Sequence, residues 1–381
     1  MRRIAILGST GSIGINTLEV IRRNPAVFKA VGLSANSKAG ILQRQIQEFR
    51  PLFACINDSR LAAGLKSGFK STVKIFSGIR GLLEMVADKR IDRVVLAISG
   101  SAALLPLLKA IDSGKDVALA NKEALVMAGP LVIKQAAKNK VRILPIDSEQ
   151  SAIWQCLQGQ DRTGLKAIYL TASGGPFRKL EAKHFKEITP KQALAHPRWK
   201  MGRKITVDSA TLMNKGLELL EAMYLVGVEP EKIKILIHPQ AIVHSMVEYV
   251  DGSLIAQLSV TDMRIPIQYA LSYPQRLPAV TKPVDFYKLK QLNFERPDFT
   301  KFPCIELAYQ AAAQGGTAPC VLNAANEVSV NEFLKQRIRF TSIPLVIEKV
   351  LAKHRNIKNP NLEDIFEADR WARQEALKKI C

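Results

Sequence analysis

Over roughly its first 150 residues the chain alternates short apolar runs with helical periodicity. β-rich runs stand at 4–7, 30–33, 53–56, 73–76, 93–98, 117–119 and 141–145, and helical patterns such as 16–23 and 41–49 lie between most of them. Strands that alternate with amphipathic helices predict a parallel sheet with helices on both faces. From about 148 to 275 the pattern changes to a strand at 167–170, a Gly-rich turn, a polar stretch with Pro and Trp, and one strongly patterned helix over 209–226. β-rich runs follow at 233–237, 242–250 and 253–258, the last two joined through Asp251-Gly252. Asp-Gly between two such runs signals a hairpin, so this region is expected to be α+β with an antiparallel component. Residues 276–302, rich in Pro, Lys and single aromatics, have no clear period and read as a linker. Helical periodicity returns over 303–381, at 304–314, 323–335, 343–353 and 362–379. The expected division is therefore 1–147, 148–275, 276–302 and 303–381.

Composition narrows the class. Of 381 residues, 47% are hydrophobic and 23% charged, ordinary for a globular chain and unlike disordered or collagenous sequences. No apolar run approaches the ~20 residues that span a bilayer. The first one ends at Gly8, short of the roughly 7–15 residues of a secretory leader, so a cytoplasmic protein with no membrane partner is expected. Five cysteines, far apart and without a C-x-x-C pair, form neither a zinc site nor a disulfide framework. Charge adds a further point: 55 Lys plus Arg against 34 Asp plus Glu gives a net +21. The excess is scattered, with no basic tail and no basic stripe interleaved with aromatics. It fits general solubility or small anionic ligands better than nucleic acid.

Candidate chemistry begins at the first strand. Gly8-Ser-Thr10-Gly11-Ser12-Ile13-Gly14 carries a hydrophobic strand through a glycine turn into a helix. Glycines permit the tight turn and close backbone approach, and the helix N-terminus favours a pyrophosphate, so dinucleotide binding is expected. After the second strand stands Asn36-Ser37-Lys38 and no carboxylate. An acidic residue there would select the ribose 2′-OH of NAD, whereas hydroxyl, amide and lysine suit a 2′-phosphate, hence NADPH. Alternatively, Lys38 only opens the next helix.

Asp147-Ser148-Glu149 follows a strand, and in extended backbone the two carboxylates would share a side and could reach one hard cation, Mg²⁺ or Mn²⁺. A surface turn would read the same way. Asn214, Lys215 and Glu218 share one helical face, which could hold a phosphate and complete a metal shell, or be only a solvated Lys–Glu pair. Ser173-Gly174-Gly175 offers a hydroxyl and exposed N–H groups to an anion. Asn121-Lys122-Glu123 puts a lysine at the mouth of the first domain. The stretch from His196 through Trp199 to Lys204 reads as a flap able to close over a flat ring, although Trp199 and Met201 could instead pack on the domain. From the residues alone, a metal-assisted NADP enzyme acting on a phosphorylated small molecule is expected.

ILGSTGSIG at 6–14, with ANKE (120–123), LPIDSEQ (144–150), SGGPFR (173–178), HPRWKMGRKITVDSATLMNKGLE (196–218), IHPQAIVHSMVEY (237–249) and NAANE (323–327), resembles the 1-deoxy-D-xylulose 5-phosphate reductoisomerase family along essentially the whole chain. The resemblance implies a Rossmann-like NADPH domain, a central α+β catalytic domain with a flexible loop, a C-terminal helical bundle and a homodimer. It implies rearrangement of the ketose phosphate to a branched aldehyde, which NADPH reduces to 2-C-methyl-D-erythritol 4-phosphate. By motif, Asp147, Glu149 and Glu218 would bind metal. Ser173, Ser209, Asn214 and Lys215 would hold the phosphate, Lys122 and Ser148 the substrate hydroxyls, and His196 and Trp199 would close from the flap. Lys122, Glu149 and His196 are the catalytic candidates. Gly8, Thr10, Gly11, Ser12, Ile13, Asn36, Ser37, Lys38, Asn121, Glu123 and Gly202 would line the cofactor. The family's 2′-phosphate turn often reads Gly-Lys/Arg-Asn; here the cation stands one position later. Two rivals explain less. A semialdehyde or sugar-phosphate dehydrogenase leaves the three carboxylates unused, and a nucleotide-sensing nucleic-acid binder would be indifferent to Asp147→Asn.

Overall fold

In the computed structural model, which describes residues 1–69, 73–197 and 201–380, the chain forms two compact units. The first comprises Met1–Ala124, Val132–Ser151 and Asp262–Lys282. Its seven strands are β1 (Arg2–Leu7), β2 (Phe28–Ala35), β3 (Phe53–Ile56), β4 (Lys74–Ser77), β5 (Arg93–Leu96), β6 (Asp116–Leu119) and β7 (Ile143–Pro145). They form one parallel sheet in the order β4-β3-β2-β1-β5-β6-β7. Each corresponds to one of the seven expected runs. Their side chains are buried almost throughout, Ile4, Ile6, Val94, Val95, Val117 and Leu119 completely, as a sheet covered on both faces requires. Strand order reverses at β1, flanked by β2 and β5, and the carboxyl ends at such a switch point are where open α/β sheets bind ligands.

Residues 262–282, which the sequence pattern divides between the end of the second region (to 275) and the start of the linker, pack on this first unit. Two strand-end arginines give the physical reason. Arg93 Nη1 donates to the carbonyls of Ala270 and Leu271 at 2.6 and 2.8 Å, and Arg2 donates to Leu271 and Tyr273 at 2.6 and 2.9 Å. They satisfy and neutralise the orphan carbonyls at the end of the helix Arg264–Ser272.

The second unit comprises Leu125–Leu131, Ala152–Thr261 and the chain from Pro283. Its sheet has the order β11-β10-β8-β9, from β8 (Leu165–Ala172), β9 (Ile233–Ile237), β10 (Val243–Tyr249) and β11 (Leu254–Leu258). β8 and β9 are parallel and the other pairs antiparallel. The Asp251-Gly252 hairpin forms as expected, with Gly252 at φ +86°. Helices Cys304–Gln314, Ala318–Leu334, Ser342–Lys353 and Leu362–Ile380 make the helical C-terminal part. The stretch before them contains a single antiparallel bridge, Glu295 to Ile237.

The helix expected over 209–226 is instead two helices, Arg203–Ala210 and Met213–Ala222, followed by a π-helical turn, Met223–Gly227. Leu212 interrupts it at φ +58°, in the left-handed region that non-glycine residues rarely adopt. Ala210, Leu212, Met213, Leu217 and Leu219 are all buried, so the apolar spacing runs across the break and conceals it. Among the described residues no helix is long and apolar enough to cross a membrane.

Candidate active site

Four of the expected motifs follow the carboxyl ends of strands in the first sheet: Gly8–Ile13 after β1, Asn36–Lys38 after β2, Asn121–Glu123 after β6 and Asp147–Glu149 after β7. The glycine turn is built for close approach. Gly8 sits at φ +92°, and a Cβ there would lie 2.6 Å from the Ala97 carbonyl oxygen. A Cβ on Gly14 would lie 2.4 Å from both the Gly8 oxygen and Ser9 Cα, so the helix Ser12–Arg23 rests directly on the turn. Its N-cap, Gly11, makes no side-chain cap bond, so the first-turn N–H groups are not capped by that residue. Sequence reasoning missed the supports. Gly8 N donates to Ser34 Oγ at 3.0 Å, and buried Gln45 accepts from Ser9 Oγ at 2.7 Å while donating to its carbonyl at 2.9 Å. Asn36, Ser37 and Lys38 are exposed, with Lys38 at the N-cap of the helix Ala39–Phe49.

The Asn121 side chain fixes the loop ends. Its Nδ2 donates to the carbonyls of Ile98 and Gly100 at 2.9 and 3.1 Å and to Glu123 at 2.8 Å, and its Oδ1 accepts from Ala124 N at 2.8 Å. Next to it Lys122, 4% exposed, pairs with Asp147 at 2.8 Å. The two carboxylates are not on one extended strand, contrary to the expectation, because Glu149 is helical. Asp147 caps the helix Ser148–Cys156 and Glu149 is in its first turn, with Glu149 N 3.3 Å from Asp147 Oδ1. Two carboxylates gather at this helix start because its free N–H groups and dipole favour negative charge. Ser148 Oγ donates to Glu149 at 2.6 Å.

The second unit gathers the other candidates. Ser173 follows β8; Gly174 and Gly175 turn the chain at φ +87° and +66°. A Cβ on Gly175 would lie 2.6 Å from the Ser209 carbonyl oxygen, so this turn packs on the end of the helix Arg203–Ala210. Ser173 Oγ lies 3.3 Å from His196 Nε2. Burial, and then the Lys215 ammonium, lowers the His196 pKa to about 4, so the ring is neutral at neutral pH. On the helix Met213–Ala222 the expected face forms: Asn214 Nδ2 and Lys215 Nζ each reach Glu218 at 2.5 Å, with Lys215 and Glu218 buried. A Cβ on Gly216 would meet Ala308 Cβ at 2.6 Å, which shows how closely this helix packs on Cys304–Gln314. Gly202 is the N-cap of Arg203–Ala210. Trp199 lies outside the described residues.

Three family models match the chain: 1-deoxy-D-xylulose 5-phosphate reductoisomerase over 4–129, its C-terminal domain over 143–226, and DXP reductoisomerase C-terminal domain over 258–375. Curated proteins of that name from Caldanaerobacter subterraneus subsp. tengcongensis and Thermodesulfovibrio yellowstonii are 50% and 46% identical over 380 residues, covering 100% of this chain and 99% and 100% of theirs. The solved reductoisomerase from Zymomonas mobilis in complex with NADPH is 41% identical with a TM-score of 0.93, covering 100% of this chain and 99% of its own. A DOX-P reductoisomerase crystallised with NADPH, fosmidomycin and magnesium is 42% identical with a TM-score of 0.94, covering 100% and 98%.

Proposed function

The chain belongs to the 1-deoxy-D-xylulose 5-phosphate reductoisomerase family, and from that premise we infer how its own side chains divide the work. It is an NADPH- and divalent-metal-dependent enzyme that converts 1-deoxy-D-xylulose 5-phosphate to 2-C-methyl-D-erythritol 4-phosphate in isoprenoid biosynthesis. The end-to-end identity of 50% to a curated member carries this conclusion.

The division of roles is our proposal. Gly8, Thr10, Gly11, Ser12 and Ile13 present backbone N–H groups and a helix start to the NADPH pyrophosphate. Asn36, Ser37 and Lys38, exposed beyond β2, take the 2′-phosphate. Asn121 and Glu123 hold the loop walls of the cofactor cleft, and Gly202 contributes to cofactor binding. Asp147, Glu149 and Glu218 supply an all-oxygen donor set suited to Mg²⁺ or Mn²⁺. When bound, the cation supplies Lewis-acid polarisation of the substrate carbonyl and the nicotinamide supplies hydride. Lys122 and Ser148 orient the substrate hydroxyls. Ser173, Ser209, Asn214, Lys215 and His196 bind the phosphate, and Trp199 closes over the substrate. Lys122, Glu149 and His196 are the groups available to move protons near the reacting carbons. Lys122 and Lys215, each buried and paired with a carboxylate, can turn toward an incoming anion. The protein acts as a homodimer; support comes from the free edge strand β11, whose Leu254 is 55% exposed beside Val250 at 70%.

The test is NADPH consumption with 1-deoxy-D-xylulose 5-phosphate, first with Mg²⁺ and then with excess chelator. Oxidation that chelator stops is the expected result, and its absence in protein that binds NADPH removes the substrate assignment. Glu218→Gln and Asp147→Asn are each expected to abolish turnover while NADPH binding survives. Loss of NADPH binding in both would displace the metal site.

A further inference from the structure

We propose that Asn326, on the helix Ala318–Leu334, is a positioning residue for the phosphate end of the site, acting through Asp208 on Ser209. The proposal rests on the reading of Ser209 as a phosphate ligand. Asp208 is 1% exposed and immediately precedes Ser209 in the last turn of Arg203–Ala210. Its carboxylate accepts from Lys204 Nζ at 2.8 Å and from Asn326 Nδ2 at 2.9 Å. Lys204 belongs to the same short helix and so cannot orient it; Asn326 comes from a helix more than a hundred residues further along the chain. Its bond to Asp208 ties the Ser209 helix to the helical C-terminal part.

The cost of Asn326 argues that the bond has a purpose. The residue is fully buried, and among the described residues no donor reaches its Oδ1. An apolar side chain would fill this space without an orphaned acceptor. What Asn326 alone provides is a charge-assisted bond to a buried carboxylate, stronger and more directional than packing. The helix that it holds needs holding. It starts at Arg203, with Gly202 as its N-cap, and ends at Ala210, two residues before the strained Leu212. Gly175 of the Ser173 turn packs on the Ser209 carbonyl with no room for a side chain. A rotation of this helix would therefore move Ser209 and the Ser173 turn together, and a positioning error of this kind weakens binding of the group concerned more than binding elsewhere. This gives Asn326 of the NAANE motif at 323–327 a physical role.

The experiment compares Asn326→Ala, Asn326→Ser, Asn326→Asp, Ser209→Ala and the exchange Asp208→Asn with Asn326→Asp, in the full-length enzyme with metal and NADPH. KM for the sugar phosphate, KM for NADPH, kcat and thermal midpoint are measured for each. Asn326→Ala is expected to raise the sugar-phosphate KM about tenfold with the NADPH KM unchanged. Asn326→Asp, which sets two carboxylates against each other, should do worse, and the exchange should recover part of the loss because it restores one amide–carboxylate bond. A folded Asn326 variant with wild-type sugar-phosphate KM overturns the proposal. So does a fall in kcat that merely follows the folded fraction with both KM values unmoved. Should Asn326→Ala not fold, Asn326→Ser and the exchange carry the same comparison. Ser209→Ala separates the two readings: if it leaves the sugar-phosphate KM unchanged, the phosphate assignment itself has failed. If it raises that KM while the Asn326 variants do not, only the positioning role of Asn326 has.

Discussion

His196 is held neutral by burial and by the Lys215 ammonium, which together bring its pKa to about 4 from an ordinary 6.5. The unfolded chain therefore binds a proton that the folded chain refuses between those values. The stability associated with this group is complete above pH 6.5 and declines as pH falls from 6.5 toward 4. A phosphate dianion beside Ser173 and Lys215 reverses the local charge and should raise the His196 pKa. Following the ring protons of His196 by NMR is expected to give a midpoint near 4 in the free protein and a higher one with inorganic phosphate. A midpoint that phosphate does not move removes His196 from the phosphate site. Residue types were legible here from sequence alone: the carboxylates, the two lysines and the Asn214–Lys215–Glu218 face need only strand ends and helical spacing. Their supports were not. Gln45 beneath Ser9, and Asn326 against Asp208, find their partners only once distant segments meet.

At the scale of elements, the glycine turn separates what pattern can read from what only packing decides. Its strand–turn–helix order was legible, and so were all seven strands of the first sheet, because buried parallel strands are continuous apolar runs. The break at Leu212 was not, since buried positions continue on both sides of it and periodicity carries no sign of a backbone dihedral. Nor was the strand-to-helix change at Asp147, where the helix begins between the two carboxylates. Gly14 shows the consequence of close packing most sharply. A methyl group there would stand 2.4 Å from backbone atoms of Gly8 and Ser9, which have no rotamer to yield. Gly14→Ala is expected to cost on the order of 1–3 kcal/mol and to weaken NADPH binding, because the helix start must shift away from the phosphates. Gly64 is the control: it is helical, and a Cβ there would meet nothing within 4 Å. Gly64→Ala should be neutral or stabilise by about 0.5–1 kcal/mol with NADPH affinity unchanged. Denaturant titration and NADPH fluorescence on both variants check the pair, and equal behaviour would show that the turn tolerates a side chain.

The whole molecule carries a net charge of +21, and its two organic ligands are both polyanions. The scattered excess cannot select either ligand; in the division of roles proposed above, selection falls to buried groups such as Lys122 and Lys215. It can raise the rate at which anions arrive, over distances that salt screens: the Debye length falls from about 10 Å at 0.1 M to about 3 Å at 1 M. Buried pairs are screened far less, so bound-state chemistry should be nearly blind to the same salt. Raising NaCl from about 0.05 to roughly 0.5 M at constant Mg²⁺ is therefore expected to lower kcat/KM for the sugar phosphate several-fold, with kcat at saturation almost unchanged. Glycerol at matched viscosity separates this from slowed diffusion. If kcat/KM stays flat while the enzyme remains folded, the surplus lysines and arginines serve solubility alone, and ligand capture depends entirely on the site. If kcat falls together with kcat/KM, salt is reaching the buried ion pairs, and the surroundings of Lys122–Asp147 and Lys215–Glu218 are more open to solvent than their burial implies.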